Sequence, residues 1–342
     1  MRIVVTGATG NVGTSLLEAL ARDPQVEEIV GVARRKPAWQ NPRTRFVQAD
    51  VEKTDLRPFF AGADAVIHLA WLIQPSRDLR ELARVNVHGS RKVFESAAEA
   101  GAKAIVHASS IGVYSHGPKD RPVDESWPRE GTQSSFYSRH KVIAEQILDE
   151  IEGPRIVRLR PALIFKREAA AEIRRLFIGP ILPSPLIHPK LLKVLPVTDR
   201  LVLQAVHSRD VGEAYRLAAT NPDAHGAYNI AADPVLDPRP HSILKVDPRV
   251  LRALADLTWR ARLQPTPPGW VDMGLNVPIM DTTRARTALG WTPTRTATEA
   301  LLELVDGLRH SAGVDTPPLA PDAGGKFRIK ELATGVGKRL TA

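Results

Sequence analysis

Tyr137 and Lys141 stand four positions apart in Phe136-Tyr137-Ser138-Arg139-His140-Lys141, a stretch of helical character. That spacing puts a phenol and an ammonium on one helix face, a turn apart. A free tyrosine titrates near ~10 and is a poor acid or base at neutral pH. A neighbouring ammonium, or a cationic nicotinamide ring, favours the phenolate. The pair therefore suits proton transfer beside a hydride-transfer centre. Ser109 and Ser110 directly follow the strand-like run Ala104–Ala108. A serine there can hold a substrate oxygen against the tyrosine hydroxyl, or cap the next segment.

A second cluster opens the chain. Ile3-Val4-Val5-Thr6 reads as a buried strand, and Gly7-Ala8-Thr9-Gly10-Asn11-Val12-Gly13 follows at once. Val12, Leu16, Leu17 and Leu20 then recur at helical spacing. Strand, glycine turn and helix in that order are what a dinucleotide pyrophosphate needs. Gly7 permits the sharp turn, Gly10 the approach of backbone N–H groups, and Gly13 close packing of helix on strand. The helix N-terminus turns unpaired N–H groups and a partial positive charge towards the phosphates.

Both clusters need a scaffold, and the first half of the chain supplies one. Strands are expected at 2–6, 28–33, 45–48, 64–70, 103–109 and 154–160, with helices near 12–22, 53–61, 77–100 and 134–151. This alternation predicts an α/β fold, a doubly wound parallel (Rossmann) sheet with helices on both faces. Ligands bind such sheets outside the carboxyl ends of the strands, where the serines stand. We expect a dinucleotide-binding domain over 1–165, completed by about 201–231. A smaller substrate-binding subdomain is expected over 166–200 and 232–309, with 310–342 a mobile tail. Prolines 180, 183, 185, 189 and 196 lie among Ile, Leu and Val, which reads as an irregular apolar cover over the nicotinamide end.

Composition narrows the classes. The 342 residues carry 47 Lys+Arg against 38 Asp+Glu, a net charge of +9. That charge suits an anionic ligand, but no basic run is interleaved with aromatics, so no nucleic-acid partner is expected. There is no cysteine, which excludes disulfides, thiolate metal sites and a cysteine nucleophile. His68, His107, His116 and His207 are not at metal-ligand spacing, so no metal is expected. No apolar run reaches the ~18 residues of a membrane span, and no signal-peptide pattern precedes the first strand. The expectation is a cytoplasmic protein without membrane association. A small-molecule substrate is expected, and the sequence leaves a homodimer open.

Thr6–Gly13, Ser109-Ser110-Ile111-Gly112-Val113-Tyr114 and Tyr137–Lys141 together resemble the extended short-chain dehydrogenase/reductase superfamily, in its NAD-dependent epimerase/dehydratase branch. Further similar elements are His68-Leu69-Ala70, Asn86-Val87-His88-Gly89, Arg160-Pro161, Val206–Val211 and Leu289-Gly290-Trp291-Thr292-Pro293. The resemblance covers about residues 1–307. It implies that Tyr137 is the general acid/base and that Lys141 lowers its pKa and binds the nicotinamide ribose. Ser110, three before Val113, matches the substrate-orienting serine. The glycine-turn residues Gly7, Thr9, Gly10, Asn11 and Val12 would meet the dinucleotide. Asp50 and Val51 would lie beside adenine. Leu69, Ala70 and Trp71 would line the cofactor, and Pro161 to Leu163 would meet the nicotinamide. Asn86 matches a family asparagine that either contacts the cofactor or acts as a structural or relay residue.

Two departures from the family pattern bear on function. Members that bind NAD carry an acid after strand 2, whereas this chain has Gly31-Val32-Ala33-Arg34-Arg35. Guanidinium groups suit a 2′-phosphate, so NADP is favoured over NAD. Many sugar-nucleotide members carry Asn where Pro161 stands, and the following cover is apolar. The expected activity is hydride transfer between nicotinamide C4 and a substrate carbonyl or alcohol. The alternatives are a sugar-nucleotide epimerase or dehydratase with tightly held NAD, and a non-catalytic NADP-sensing protein.

Overall fold

The computed structural model describes residues 1–179, 187–188, 196–240, 242–321 and 336. Most of the proline-rich cover and most of the tail beyond 321 lie outside the described residues.

The chain begins with β1 (Arg2–Thr6), α1 (Asn11–Arg22), β2 (Glu28–Ala33), β3 (Thr44–Gln48), α2 (Arg57–Phe60) and β4 (Ala65–His68). Next come α3 (Leu79–Ala83), a π-helical turn (Arg84–His88), α4 (Gly89–Glu99), β5 (Ala104–Ala108), β6 (Pro122–Val123), α5 (Phe136–Asp149), β7 (Arg155–Pro161) and β8 (Leu163–Phe165). After α6 (Ala170–Ile173) follow β9 (Leu203–His207), α7 (Ser208–Thr220), β10 (Gly226–Ile230) and β11 (Ala232–Leu236). The last elements are α8 (Pro248–Arg260), α9 (Gly269–Asn276), β12 (Ile279–Met280), α10 (Thr283–Thr287) and α11 (Ala297–His310).

Seven parallel strands form the main sheet in the order β10-β7-β5-β4-β1-β2-β3. The expected doubly wound sheet is therefore present, and β10 completes it. Ile3, Val4 and Val5 are fully buried, as a central parallel strand covered on both faces requires. One core lies between the sheet, α1 and α7, and includes Leu16, Leu17, Leu20, Tyr215 and Trp291. The other lies under α4 and α5, and includes Phe60, Phe94, Ile147 and Leu148. Chain order reverses between β1 and β4, so their carboxyl ends open a crevice suited to a ligand. Two small sheets, β11-β9-β8 and β12-β6, flank this end.

Several expected elements are shorter than their patterns suggested, most clearly β4 and α2. β4 stops at His68: Leu69 N–H makes the last ladder bond, to the Thr6 carbonyl at 3.0 Å, and beyond it the backbone of Leu69 and Ala70 abuts Gly7. The 53–61 helix shrinks to α2, because the N–H groups of Lys53 and Thr54 close a turn on the Asp50 carbonyl at 3.1 and 2.9 Å. The described part of the 310–342 segment is packed: Thr316 is 1% and Leu319 0% exposed.

Candidate functional site

The β1–α1 turn is built by contact. Gly7 has φ 74°, and a Cβ there would lie 2.6 Å from Ala70 N. A Cβ on Gly13 would lie 2.5 Å from the Gly7 carbonyl oxygen. Only glycine permits either approach. Gly10 precedes α1 in an extended conformation and makes no side-chain cap. The first N–H groups of α1 therefore form the kind of donor set an anion takes. Asn11 and Val12 begin this helix, and the Thr9 carbonyl accepts a hydrogen bond from the Thr316 hydroxyl at 2.9 Å. The residues present fit a dinucleotide pyrophosphate.

α5 carries the chemical pair. Its N-terminus is capped by Ser135, whose hydroxyl accepts from Ser138 N–H at 3.3 Å. Burial pushes the Tyr137 phenol up from its ordinary pKa, and the nearby Ser110 hydroxyl acts the other way; Ser110 Oγ and Tyr137 Cε1 both lie 3.4 Å from where a Cβ on Gly112 would stand. Ser110 also accepts from Gly112 N–H at 3.0 Å. The structure thus brings Ser110 and Tyr137 together. Ser109 takes a different direction and donates to the buried carboxylate of Glu145.

Lys141 is 3% exposed. Its ammonium donates to the Ala108 carbonyl at 2.5 Å and lies 3.4 Å from the centroid of the Trp71 ring. It is 5.7 Å from the Tyr137 ring centroid. Burial holds its pKa well below the ordinary lysine value, and Glu145 opposes that shift. Trp71 stands edge-on to Tyr137, with ring centroids 6.1 Å apart.

Asn86 acts on backbone. Its amide donates to the Leu72 carbonyl and accepts from the Leu72 N–H, both at 2.7 Å. It thereby fixes the segment that carries Leu69, Ala70 and Trp71. Asp50 accepts from Glu52 N–H at 2.9 Å, while Val51 is buried against Gly89. Arg34 and Arg35 are exposed just beyond β2. Pro161 is buried at the end of β7, and Leu163 in β8 is 38% exposed. His207 caps α7, its Nδ1 accepting from Arg209 N–H at 3.1 Å. Among the described residues no group of three His, Asp or Glu could hold a metal ion, and no helix is long and apolar enough to cross a membrane.

Several site residues escaped sequence reasoning. Trp270 of α9 stacks obliquely on Tyr137, centroids 4.8 Å apart, and Phe177 meets Trp270 edge-on at 5.0 Å. Met273, one turn on, places its sulfur 2.9 Å from where a Cβ on Gly112 would stand. Pro265, Pro267, Pro268 and Pro278 break the helical periodicity of that region in the sequence. Glu145 and Arg160 form a buried pair, with Arg160 Nη2 2.7 Å from Glu145 Oε2. Glu172 of α6 lies at the start of α1. Burial raises its carboxyl pKa, while Arg175, Lys166 and the Asn11 N–H pull it down.

Comparison with known proteins agrees with this fold. An uncharacterised protein of Mycobacterium tuberculosis is 28% identical over 323 residues, which is 92% of this chain but 31% of that protein. The chain thus spans about a third of the length of the first curated relatives it matches. A 4-hydroxy-2-methyl-3-oxo-4-farnesyl-3,4-dihydroquinoline-1-oxide ketoreductase of Stigmatella aurantiaca is 31% identical over 180 residues, 52% of this chain and 54% of that one. In fold, the UDP-glucose 4-epimerase of Thermus thermophilus in complex with NAD matches with a TM-score of 0.63 at 22% identity, covering 90% of this chain and 99% of the other. The model of the NAD-dependent epimerase/dehydratase family matches residues 3–231, well over half of the sequence. A match of that span decides the affiliation: the chain belongs to the NAD-dependent epimerase/dehydratase family.

Proposed function

We propose that the protein is an NAD(P)-dependent oxidoreductase of the extended short-chain type, acting on an apolar carbonyl or alcohol. The observation that carries this reading is the Ser110–Tyr137 hydroxyl pair walled by Trp270, Phe177 and Met273. A nicotinamide dinucleotide supplies, when bound, the hydride acceptor or donor. The chain's own residues handle the proton and the orientation. Ser110 holds the substrate oxygen, and Tyr137 gives or takes the proton at its hydroxyl. Lys141 sets the local positive charge and holds the nicotinamide ribose. The aromatic wall keeps water from the reacting oxygen and favours apolar substrates.

Arg34 and Arg35 support NADP as the preferred cofactor, through bidentate contact with a 2′-phosphate. The ketoreductase relative is named for a farnesylated ketone substrate, which agrees with an apolar pocket. The sugar-nucleotide reading has less support, because Pro161 offers no side-chain amide to a diphosphate. A pure dinucleotide sensor would not need the Ser110–Tyr137 pair.

The test is a paired screen. Apolar ketones and nucleotide sugars are each offered with NADPH and with NADH, and oxidation of the nicotinamide is followed by absorbance. Turnover of apolar ketones with NADPH is the expected result. Epimerisation of a nucleotide sugar without net oxidation would overturn the substrate assignment. Equal affinity for the two cofactors, or tighter NADH, would overturn the cofactor preference. Arg34→Ala should weaken NADPH much more than NADH.

A further inference from the structure

The carbonyl groups of Gly7, Thr9, Gly10 and Asn11 in the β1–α1 turn are all held by hydrogen bonds within the protein. The Gly7 carbonyl accepts from Gly10 N–H at 3.2 Å, and that of Gly10 from Thr14 N–H at 3.0 Å. The Asn11 carbonyl accepts from Lys166 Nζ at 2.8 Å and from the Ser208 hydroxyl at 3.1 Å. The Thr9 carbonyl is held by a residue more than three hundred positions away, through the Thr316 hydroxyl at 2.9 Å. A carbonyl that turned into the crevice would set a negative dipole against an incoming phosphate.

Thr316 belongs to a compact C-terminal hook. Its carbonyl accepts from Leu319 and Ala320 N–H at 3.1 and 2.9 Å, and Val314 N–H donates to the Leu319 carbonyl at 3.2 Å. Gly313 makes the hook close, since a Cβ there would collide with the Leu319 carbonyl oxygen. The hook also reaches two other segments at the carboxyl end of the sheet. Trp39 N–H, five residues beyond Arg34, donates to the Asp315 carbonyl at 3.0 Å. Arg175 Nη2, beside α6, donates to the Pro318 carbonyl at 3.2 Å.

We propose that residues 312–321 are part of the dinucleotide-binding apparatus, and that Thr316 is a positioning residue for the pyrophosphate turn. Its hydroxyl holds the Thr9 carbonyl and so fixes the Thr9–Gly10 peptide. The same hook joins that turn to the segment after Arg34 and Arg35 and to the segment carrying Arg175. The inference rests on dinucleotide binding alone and not on any substrate class.

Affinity and dissociation rate of NADPH and NADH, measured by fluorescence on the full chain, test it. Thr316→Val should weaken both dinucleotides about three- to tenfold, the scale of one lost buried hydrogen bond, mainly through faster dissociation. Thr316→Ser, which keeps the hydroxyl, should restore wild-type values. Thr220→Val, which loses a similar bond to the Arg216 carbonyl at 3.0 Å, should leave them unchanged. If Thr316→Val does not fold, hydrogen exchange on the wild type decides. NADPH should then slow exchange in 312–320 together with 7–13. Wild-type affinity in Thr316→Val, equal losses in the Val and Ser variants, or a hook indifferent to NADPH would each overturn the inference. So would a lowered melting temperature of the free protein with unchanged affinity.

Discussion

The ammonium of Lys141 lies 3.4 Å from the centre of the Trp71 ring, with its hydrogen bond spent on the Ala108 carbonyl. An ammonium over an indole face gains roughly 0.5–2 kcal/mol. Burial nevertheless dominates and depresses its pKa. Between its folded pKa and the unfolded value near ~10.4 the unfolded chain binds more protons, so stability rises with pH through that window. Lys141→Met should therefore melt higher than wild type at neutral pH, while dinucleotide affinity falls. The stability gap should narrow as pH climbs towards ten. Thermal unfolding of the free protein across that range checks the sign, and a gap that widens with pH would contradict it.

Glu145 is 0% and Arg160 4% exposed, in a pair joined through both guanidinium Nε and Nη2 at 2.9 and 2.7 Å. Burial alone would raise the Glu145 carboxyl, but Arg160 and Ser109 hold it below its ordinary value. Its contribution to stability is thus present above the usual carboxyl range and is lost as pH falls through the lower folded pKa. Removing one partner should cost about 3–5 kcal/mol, and removing both should cost less than the two single losses summed. Denaturant unfolding of Glu145→Gln, Arg160→Met and the double variant provides the cycle. Strict additivity would refute a coupled pair.

Glu172 presents a second electrostatic prediction. Its carboxylate stands by the Asn11 N–H, where the pyrophosphate is expected. Its Oε2 is buried without a hydrogen-bond partner among the described residues. A carboxylate there competes with phosphate for the positive end of α1. Glu172→Gln should tighten dinucleotide binding by about two- to fivefold, the scale of a charge at a helix end. Because burial raises the Glu172 pKa, wild-type affinity should fall as pH rises through that value, and the variant should lack this dependence. Titration calorimetry with NADPH at several pH values measures both effects. Weaker binding in the variant would mean that Glu172 helps to hold the dinucleotide.

Much of this site is visible in the sequence, for a physical reason. Gly7 and Gly13 sit where no Cβ fits, and Tyr137 and Lys141 share one helix turn, so local spacing encodes them. The alternation of apolar strands with amphipathic helices likewise announces the seven-stranded sheet. Groups that act across long separations leave no such trace. Trp270 reaches Tyr137 from 133 positions away, since 270 − 137 = 133, out of a segment whose prolines mask its short helix. Thr316 is a single hydroxyl in a stretch that reads as a mobile tail, and only the packed hook reveals its bond to Thr9. Asn86 was legible as a motif, but its use of both amide atoms on Leu72 needed the fold.

The central claim is that Tyr137 carries the proton, and the most direct measurement is turnover of Tyr137→Phe on the substrate found by the screen, with dinucleotide affinity measured alongside. The phenyl ring keeps the contact with Trp270 and removes only the hydroxyl. The account predicts a loss of turnover of about two to four orders of magnitude, the range for a general acid/base, with NADPH affinity nearly unchanged. Ser110→Ala should also lower turnover, with less effect on the dinucleotide. Full activity in Tyr137→Phe would show that the proton comes from elsewhere and contradict the mechanism.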